Sequence, residues 1–200
     1  MLTKRLFDLT CALAGLLMLS PVFLVAAVLI RCDSHGPVFF LQERVGRRGK
    51  KFLIYKFRTM RPGAEAGGQL TVGPDARVTR VGRFLRRYKI DELPQLLNVA
   101  RGDMSLVGPR PEVPRYVDRY PLSVRDTVLS VPPGITDWAS IAFRDENAIL
   151  ARSIDPERSY VEEILPVKLD YYVRYVRERN FFTDLKIILL TLRAVVGQGI

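Results

Sequence analysis

The run "LTCALAGLLMLSPVFLVAAVLI", residues 9–30, holds 22 residues without a charge, between Lys4, Arg5 and Asp8 on one side and Arg31 on the other. As a helix it is long enough to cross the hydrocarbon core of a bilayer. A secretory signal has a shorter apolar stretch and a small-residue cleavage site, and Arg31 directly before Cys32 breaks a lipoprotein box. The segment is therefore expected to stay on the mature protein. Ser20-Pro21 falls in its middle. Proline removes a backbone donor and crowds the preceding turn, so the helix must bend or break there, and the Ser20 hydroxyl can serve a freed carbonyl. Basic residues at both ends suit a path that returns to the side it came from. Two geometries remain open on these grounds, a re-entrant helix-break-helix over residues 1–31 and a kinked spanning helix.

The remainder, residues 32–200, suffices for one globular domain with a modest core. A net charge of +10 comes mostly from arginine, concentrated in residues 44–51, 77–89 and 174–179. Such a surface seeks phosphate, whether on nucleic acid, anionic lipid or a phosphorylated substrate. Cys11 and Cys32 have no CxxC spacing and read as thiols in a reducing compartment. A single histidine argues against zinc chemistry and a Ser-His triad, which leaves carboxylates and metal.

The hydropathy pattern predicts a mixed α/β (α+β) domain. "GPVFFLQERVGRRGKKFLIYKFRTM" reads as a β-hairpin or two short strands, and residues 61–77, rich in Gly and Pro, as a loop. Residues 79–87 fit a helix with Val81, Phe84 and Leu85 on one face, and residues 91–98 a short helix opening on two acids. Near the C-terminus, Phe182, Leu185, Ile188, Leu189, Leu192, Val195 and Val196 form a helical stripe over residues 181–196. Too short and charged to span, this helix either packs on the core or lies in a membrane interface.

Candidate chemistry centres on "IDELPQLLNVARGDMSLVGPRPE", residues 90–112. Adjacent acids are ordinarily a solvated helix start. Here Arg83, Arg86, Arg87 and Lys89 stand just upstream, a field expected to keep a carboxylate ionised. Asp91 and Glu92 then suit a nucleophile toward phosphorus or a metal ligand. Lys56 and Arg58 alternate with Tyr55 and Phe57, so on a strand both cations would share a face. Arg110, between Pro109 and Pro111, sits in a backbone held extended, and a pre-positioned guanidinium grips phosphate through paired hydrogen bonds. Mg2+ held by a carboxylate could neutralise a diphosphate. A non-catalytic membrane adaptor with a basic lipid- or nucleic-acid-binding face is the rival class, although no nucleic-acid motif is recognisable.

"FFLQERVGRRGKKFLIYKFRTM", "IDELPQLLNVARGDMSLVGPRP", "PPGITDWAS" and "KLDYYVRYVRERNFFTDLKIILLTL", with the opening "KRLFDL", resemble the bacterial sugar transferases known as monotopic polyprenyl-phosphate phosphoglycosyl transferases, over nearly the whole chain. The length is similar to that of small stand-alone members. The resemblance implies a re-entrant helix broken at Ser20-Pro21, and a cytoplasmic-face location at the bacterial inner membrane. It also implies a ping-pong reaction in which a UDP-sugar loses UMP and undecaprenyl phosphate accepts the phosphosugar, with Mg2+ as cofactor, membrane lipid as a partner and no nucleic acid. A homodimer is compatible with it.

By motif position Asp91 is the implied nucleophile and Glu92 its assistant or a metal ligand. Lys56, Arg86 and Arg110 are implied phosphate ligands, Arg58 joins them as a candidate through its strand face shared with Lys56, and Asp170 is an implied metal-linked or structural carboxylate. Asp137 departs from the family pattern, which often has glycine there, and the following "ASIAFRDENAIL" also differs. This bears on the choice of sugar, since loops of this region could contact it. Trp138 reads either as a packing anchor or as a sugar platform.

Overall fold

The structure is a computed structural model that describes residues 2–64 and 70–197. The N-terminal apolar run forms two helices, α1 (Leu2–Met18) and α2 (Ser20–Asp33), meeting at 59°. Pro21 sits in the first turn of α2, where its missing N–H breaks no helical bond, and the Ser20 hydroxyl donates to Leu17 O at 2.8 Å. Among the described residues no single helix is long and apolar enough to cross a membrane; the bent pair passes that test only together. Much of its apolar surface has nothing packed on it, and Leu17 is 77% exposed.

Strands β1 (Phe39–Val45) and β2 (Lys51–Phe57) pair antiparallel as a hairpin, in register from Phe39 opposite Phe57 to Val45 opposite Lys51. Helix α3 (Arg80–Arg87) begins on Thr79, whose side chain accepts the Gly82 N–H. The helix expected to open on the two acids is instead two elements, a 3-10 turn (Ile90–Glu92) and α4 (Gln95–Arg101). Lys89 in left-handed geometry sets off the turn, and Pro94, unsuited to a helix interior, becomes the N-cap of α4. Gly102, at φ 93°, closes α4 in a conformation that favours glycine.

The chain continues through β3 (Ser105–Val107), α5 (Pro114–Val117), α6 (Leu122–Val128) and β4 (Gly134–Thr136). Strands β3 and β4 pair in parallel. Their approach is so close that a Cβ on Gly134 would lie 2.1 Å from Gly108 N, so only glycine fits. Then follow α7 (Trp138–Ala142), α8 (Glu146–Leu150), α9 (Pro156–Ser159), a π-helical turn (Tyr160–Ile164), α10 (Leu165–Glu178) and α11 (Phe181–Val196). The mixed α+β class read from the sequence is the class observed, with helix dominant. Part of the loop read at residues 61–77, residues 65–69, lies outside the described residues.

Tyr116, Tyr120, Tyr160, Leu165 and Tyr172 anchor the largest apolar core, between α5, α6 and α10. Helix α1 packs on α4 through Ala12, Val99 and Met104. Polar ties fix its first turns. Arg5 donates to the Val99 and Ala100 carbonyls at the end of α4, Lys4 pairs with Asp184 of α11 at 2.6 Å, and buried Asp8 accepts the Ser105 hydroxyl at 2.7 Å.

On α11 the buried face is not the stripe read from sequence. Ile187 is 0% exposed and Asp184 is buried with it, whereas Phe182 is 79% exposed and Leu185, Leu189 and Leu192 are also open. Asp184 can turn inward because Lys4 and the Tyr175 hydroxyl satisfy it.

Candidate active site

Asn98 sets the geometry of one wall. Fully buried on α4, it accepts the Tyr55 N–H at 2.9 Å and donates to Leu53 O at 2.7 Å, stitching α4 to the free edge of β2. The stitch holds Lys56 over the acidic turn, where Lys56 Nζ lies 3.0 Å from Glu92 Oε1. From the opposite side Arg110 grips the same carboxylate, with Nη2 at 2.6 Å from Oε1 and Nη1 at 3.3 Å from Oε2. Burial alone would raise the Glu92 carboxyl, but Arg110 and Lys56 outweigh it and hold it well below the usual carboxylate range. Glu92 in turn holds the Arg110 guanidinium charged.

Asp91, its neighbour, is in a contrasting state. It is 8% exposed, and its Oδ1 is buried with no hydrogen-bond partner among the described residues. Burial and the adjacent Glu92 charge push its carboxyl up to about 6, with Lys56, Arg86 and Lys89 opposing. The expected cationic depression is thus overturned. The cations are present, but Lys56 is ion-paired to Glu92, and desolvation with the Glu92 charge outweighs Lys56, Arg86 and Lys89.

Around the pair opens a cavity of about 950 Å3, bordered by Lys56, Arg86, Lys89, Asp91, Glu92 and Arg110 among others. Arg86 is braced by the hydroxyls of Thr59, at 2.8 Å, and Thr71, at 3.2 Å. Ser140, Arg144, Glu146, Asn147 and Lys168 line the same cavity. Lys168 Nζ is buried between Glu112, at 3.3 Å, and Glu146, at 3.0 Å. Glu112 also accepts the Tyr160 hydroxyl at 2.8 Å and faces Arg44 at 3.6 Å.

The fold thus gathers Lys56, Arg86, Asp91, Glu92 and Arg110 at one cavity. Arg58 and Asp170 are placed otherwise. Strand β2 stops at Phe57, so the alternation that would put Arg58 beside Lys56 ends there. Arg58 touches the cavity rim, but its guanidinium donates to the Ser34 and His35 carbonyls beyond α2. Asp170 lies exposed on α10 and does not border the cavity; the inward residue of that turn is Lys168.

Among the described residues no three His, Cys, Asp or Glu side chains converge as a ready metal cage. Asp137 caps α7, accepting the Ser140 N–H at 3.0 Å and its hydroxyl at 2.7 Å, and burial raises its carboxyl. Trp138 is half-buried under Lys186, 5.8 Å from its ring centre, and does not border the cavity.

Sequence reasoning does not single out Asn98, Glu112, Glu146 or Lys168. Glu112 follows directly on the GPRP segment and is within reach of a motif reading; the other three depend on what lies across the fold.

An acid pair of split character, set among cations in a cavity of about 950 Å3, coincides with a profile match over residues 1–198 to the family described as bacterial sugar transferase. The chain belongs to that family. Among relatives of this sugar transferase family member is EpsL of Bacillus subtilis (strain 168), described as an uncharacterized sugar transferase, 42% identical over 100% of this chain and 91% of its own length. A UDP-N-acetylgalactosamine-undecaprenyl-phosphate N-acetylgalactosaminephosphotransferase of Aeromonas hydrophila is 39% identical over 96% of this chain and 43% of its own. A UDP-glucose:undecaprenyl-phosphate glucose-1-phosphate transferase of Escherichia coli (strain K12) is 38% identical over 96% and 39%. This chain therefore spans about two fifths of the latter two transferases.

Proposed function

We propose that this protein transfers a sugar 1-phosphate from a UDP-sugar to undecaprenyl phosphate, with Asp91 as the nucleophile. The observation that carries the reading is the buried Asp91 oxygen, without a hydrogen-bond partner among the described residues, in the cation-lined cavity. A carboxylate not held in a direct ion pair is available to phosphorus, and at neutral pH one whose pKa is about 6 is mostly ionised.

In the first half-reaction an Asp91 oxygen bonds to the β-phosphorus. The bond from that phosphorus to the bridging oxygen breaks, and UMP leaves with the electron pair. Lys56, Arg86 and Arg110 face the charge that accumulates on the phosphate oxygens. In the second half, an oxygen of the lipid phosphate bonds to the same phosphorus and the Asp91 carboxylate is released. An acyl phosphate is reactive enough to pass its group to this weak acceptor.

Mg2+ fits the site in a restricted way. Glu92 is bound by two cations and Asp170 lies away, so Asp91 is the available carboxylate, with substrate oxygens completing a set of the kind Mg2+ accepts. When bound, the ion would supply charge neutralisation on the diphosphate.

The bent α1–α2 pair, with the exposed stripe Phe182, Leu185, Leu189 and Leu192 on α11, supports monotopic membrane attachment through a re-entrant hairpin and one interfacial helix. In this reading the site lies at the cytoplasmic face of the bacterial inner membrane, where a soluble nucleotide sugar and a lipid acceptor can meet.

The test is nucleotide release from detergent-purified protein given UDP-sugars, undecaprenyl phosphate and Mg2+. UMP from wild type but not from Asp91→Asn is expected. UDP as the product would mean sugar transfer without its phosphate and would overturn the reading.

A further inference from the structure

We propose that the cavity wall built by α8 and Lys168 reads the hydroxyl groups of the sugar, with Glu146 and Asn147 as specificity-determining residues. This rests on the UDP-sugar reading above and adds the part of the substrate that the wall recognises.

The cavity lining is chemically mixed. Lys56, Arg86 and Lys89 act on Asp91 and suit phosphate. The same lining offers a carboxylate and an amide in successive positions of α8, beside Arg144 and Lys168. A carboxylate facing a diphosphate would be repelled; facing a neutral polyol it accepts hydrogen bonds from adjacent hydroxyls.

Glu146 is held for that task. Its Oε2 is 3.0 Å from Lys168 Nζ, and Lys168 is itself buried against Glu112 at 3.3 Å. Oε1 accepts no hydrogen bond from the described residues, and the Asn147 side-chain amide makes none. Asn147 is fixed through its backbone, whose carbonyl accepts the Gly73 N–H at 3.2 Å. Glu146 is part-buried and Asn147 exposed; a bound sugar would take both out of water, and the wrong epimer would then leave one of them unpaired. Uracil offers one ring N–H donor between two carbonyl acceptors, which suits the Asn147 amide but gives the Glu146 carboxylate a single donor where a polyol gives two; inhibition by UMP tells the two ligands apart. Lys168 acts through Glu146 and is a positioning residue.

The experiment compares full-length wild type, Glu146→Gln and Asn147→Ala. UDP-glucose and UDP-galactose, and then their N-acetylamino counterparts, are offered both in UMP release and in direct calorimetric binding. The ratio between epimers should shrink by about tenfold or more in either variant, while inhibition by UMP is unchanged. Equal loss for every sugar would indicate a merely structural wall and overturn the proposal. Weakened UMP inhibition with intact epimer ratios would assign the wall to the nucleotide and also overturn it.

Calorimetry separates the two readings. Epimer selection in binding without UMP release would sink the transfer reading and leave the sugar wall standing; no binding of any UDP-sugar would overturn both. If Glu146→Gln fails to fold by its melting curve, Asn147→Ala carries the same comparison.

Discussion

Two buried acid–base clusters flank Pro111, and they differ in what they leave undone. Glu112 is saturated by Lys168, Arg44 and the Tyr160 hydroxyl. Glu92 is likewise gripped by Lys56 and Arg110, but beside it stands Asp91 with an oxygen that no described residue serves. Buried ion pairs are by themselves weak evidence of function, since their attraction is largely offset by lost hydration. The unpartnered acid makes the difference. In one cluster the charges complete each other; in the other, Glu92 holds Lys56 and Arg110 in direct pairs and Asp91 is in none.

The largest expected effect is on the free acid. Asp91→Asn should lower UMP release by more than about a thousandfold while the fold persists. It should also melt higher than wild type at neutral pH. Because burial raises the Asp91 carboxyl to about 6, the folded wild type holds its proton where the unfolded chain has released it. Wild type therefore loses stability as pH rises from the ordinary carboxylate range through about 6, and the asparagine variant escapes that loss. A variant that melts lower across this range would contradict the contrast between the clusters.

Next comes the saturated cluster. Glu112→Ala leaves Lys168 and Arg44 without their shared partner and should cost about 3–5 kcal/mol in a denaturant titration. Unchanged stability would mean that the cluster is already hydrated.

A finer effect separates the two acids of the pair. Wild-type kcat/KM should fall as pH drops through about 6, where Asp91 takes up its proton. Glu92→Gln removes a negative neighbour and frees Lys56 and Arg110 to act on Asp91, so this limb should move to lower pH. A limb that stays in place would show that Glu92 does not set the Asp91 charge.

The smallest effect marks the baseline. Arg158 and Glu162 also pair, at 2.9 Å, but both are exposed, and Arg158→Ala should leave the melting temperature unchanged.

Features that depend on a few neighbouring residues are legible in the sequence. Ser20-Pro21 breaks the N-terminal run, and the Ser20 hydroxyl serves a carbonyl of the preceding turn, as local helix geometry requires. The hairpin, α3 and α11 follow from periodicity, and Lys56, Asp91, Glu92 and Arg110 stand out through motif resemblance. Arg58 shows where this stops. Strand alternation places it beside Lys56 only if the strand continues, and the carbonyls beyond α2 take it instead.

By itself, then, the sequence determined which segments become helix or hairpin, where the apolar run must break, and that cations and two acids belong to one chemistry. Only the tertiary structure decided which acid is neutralised and which is left free, that Lys168 rather than Asp170 faces inward, and that Asp184 rather than the apolar stripe of α11 is buried. Helix and turn preferences act over a few residues and can be read along the chain. The charge state and burial of a side chain depend on partners such as Lys4 for Asp184 or Arg110 for Glu92, and folding alone brings those within hydrogen-bond distance.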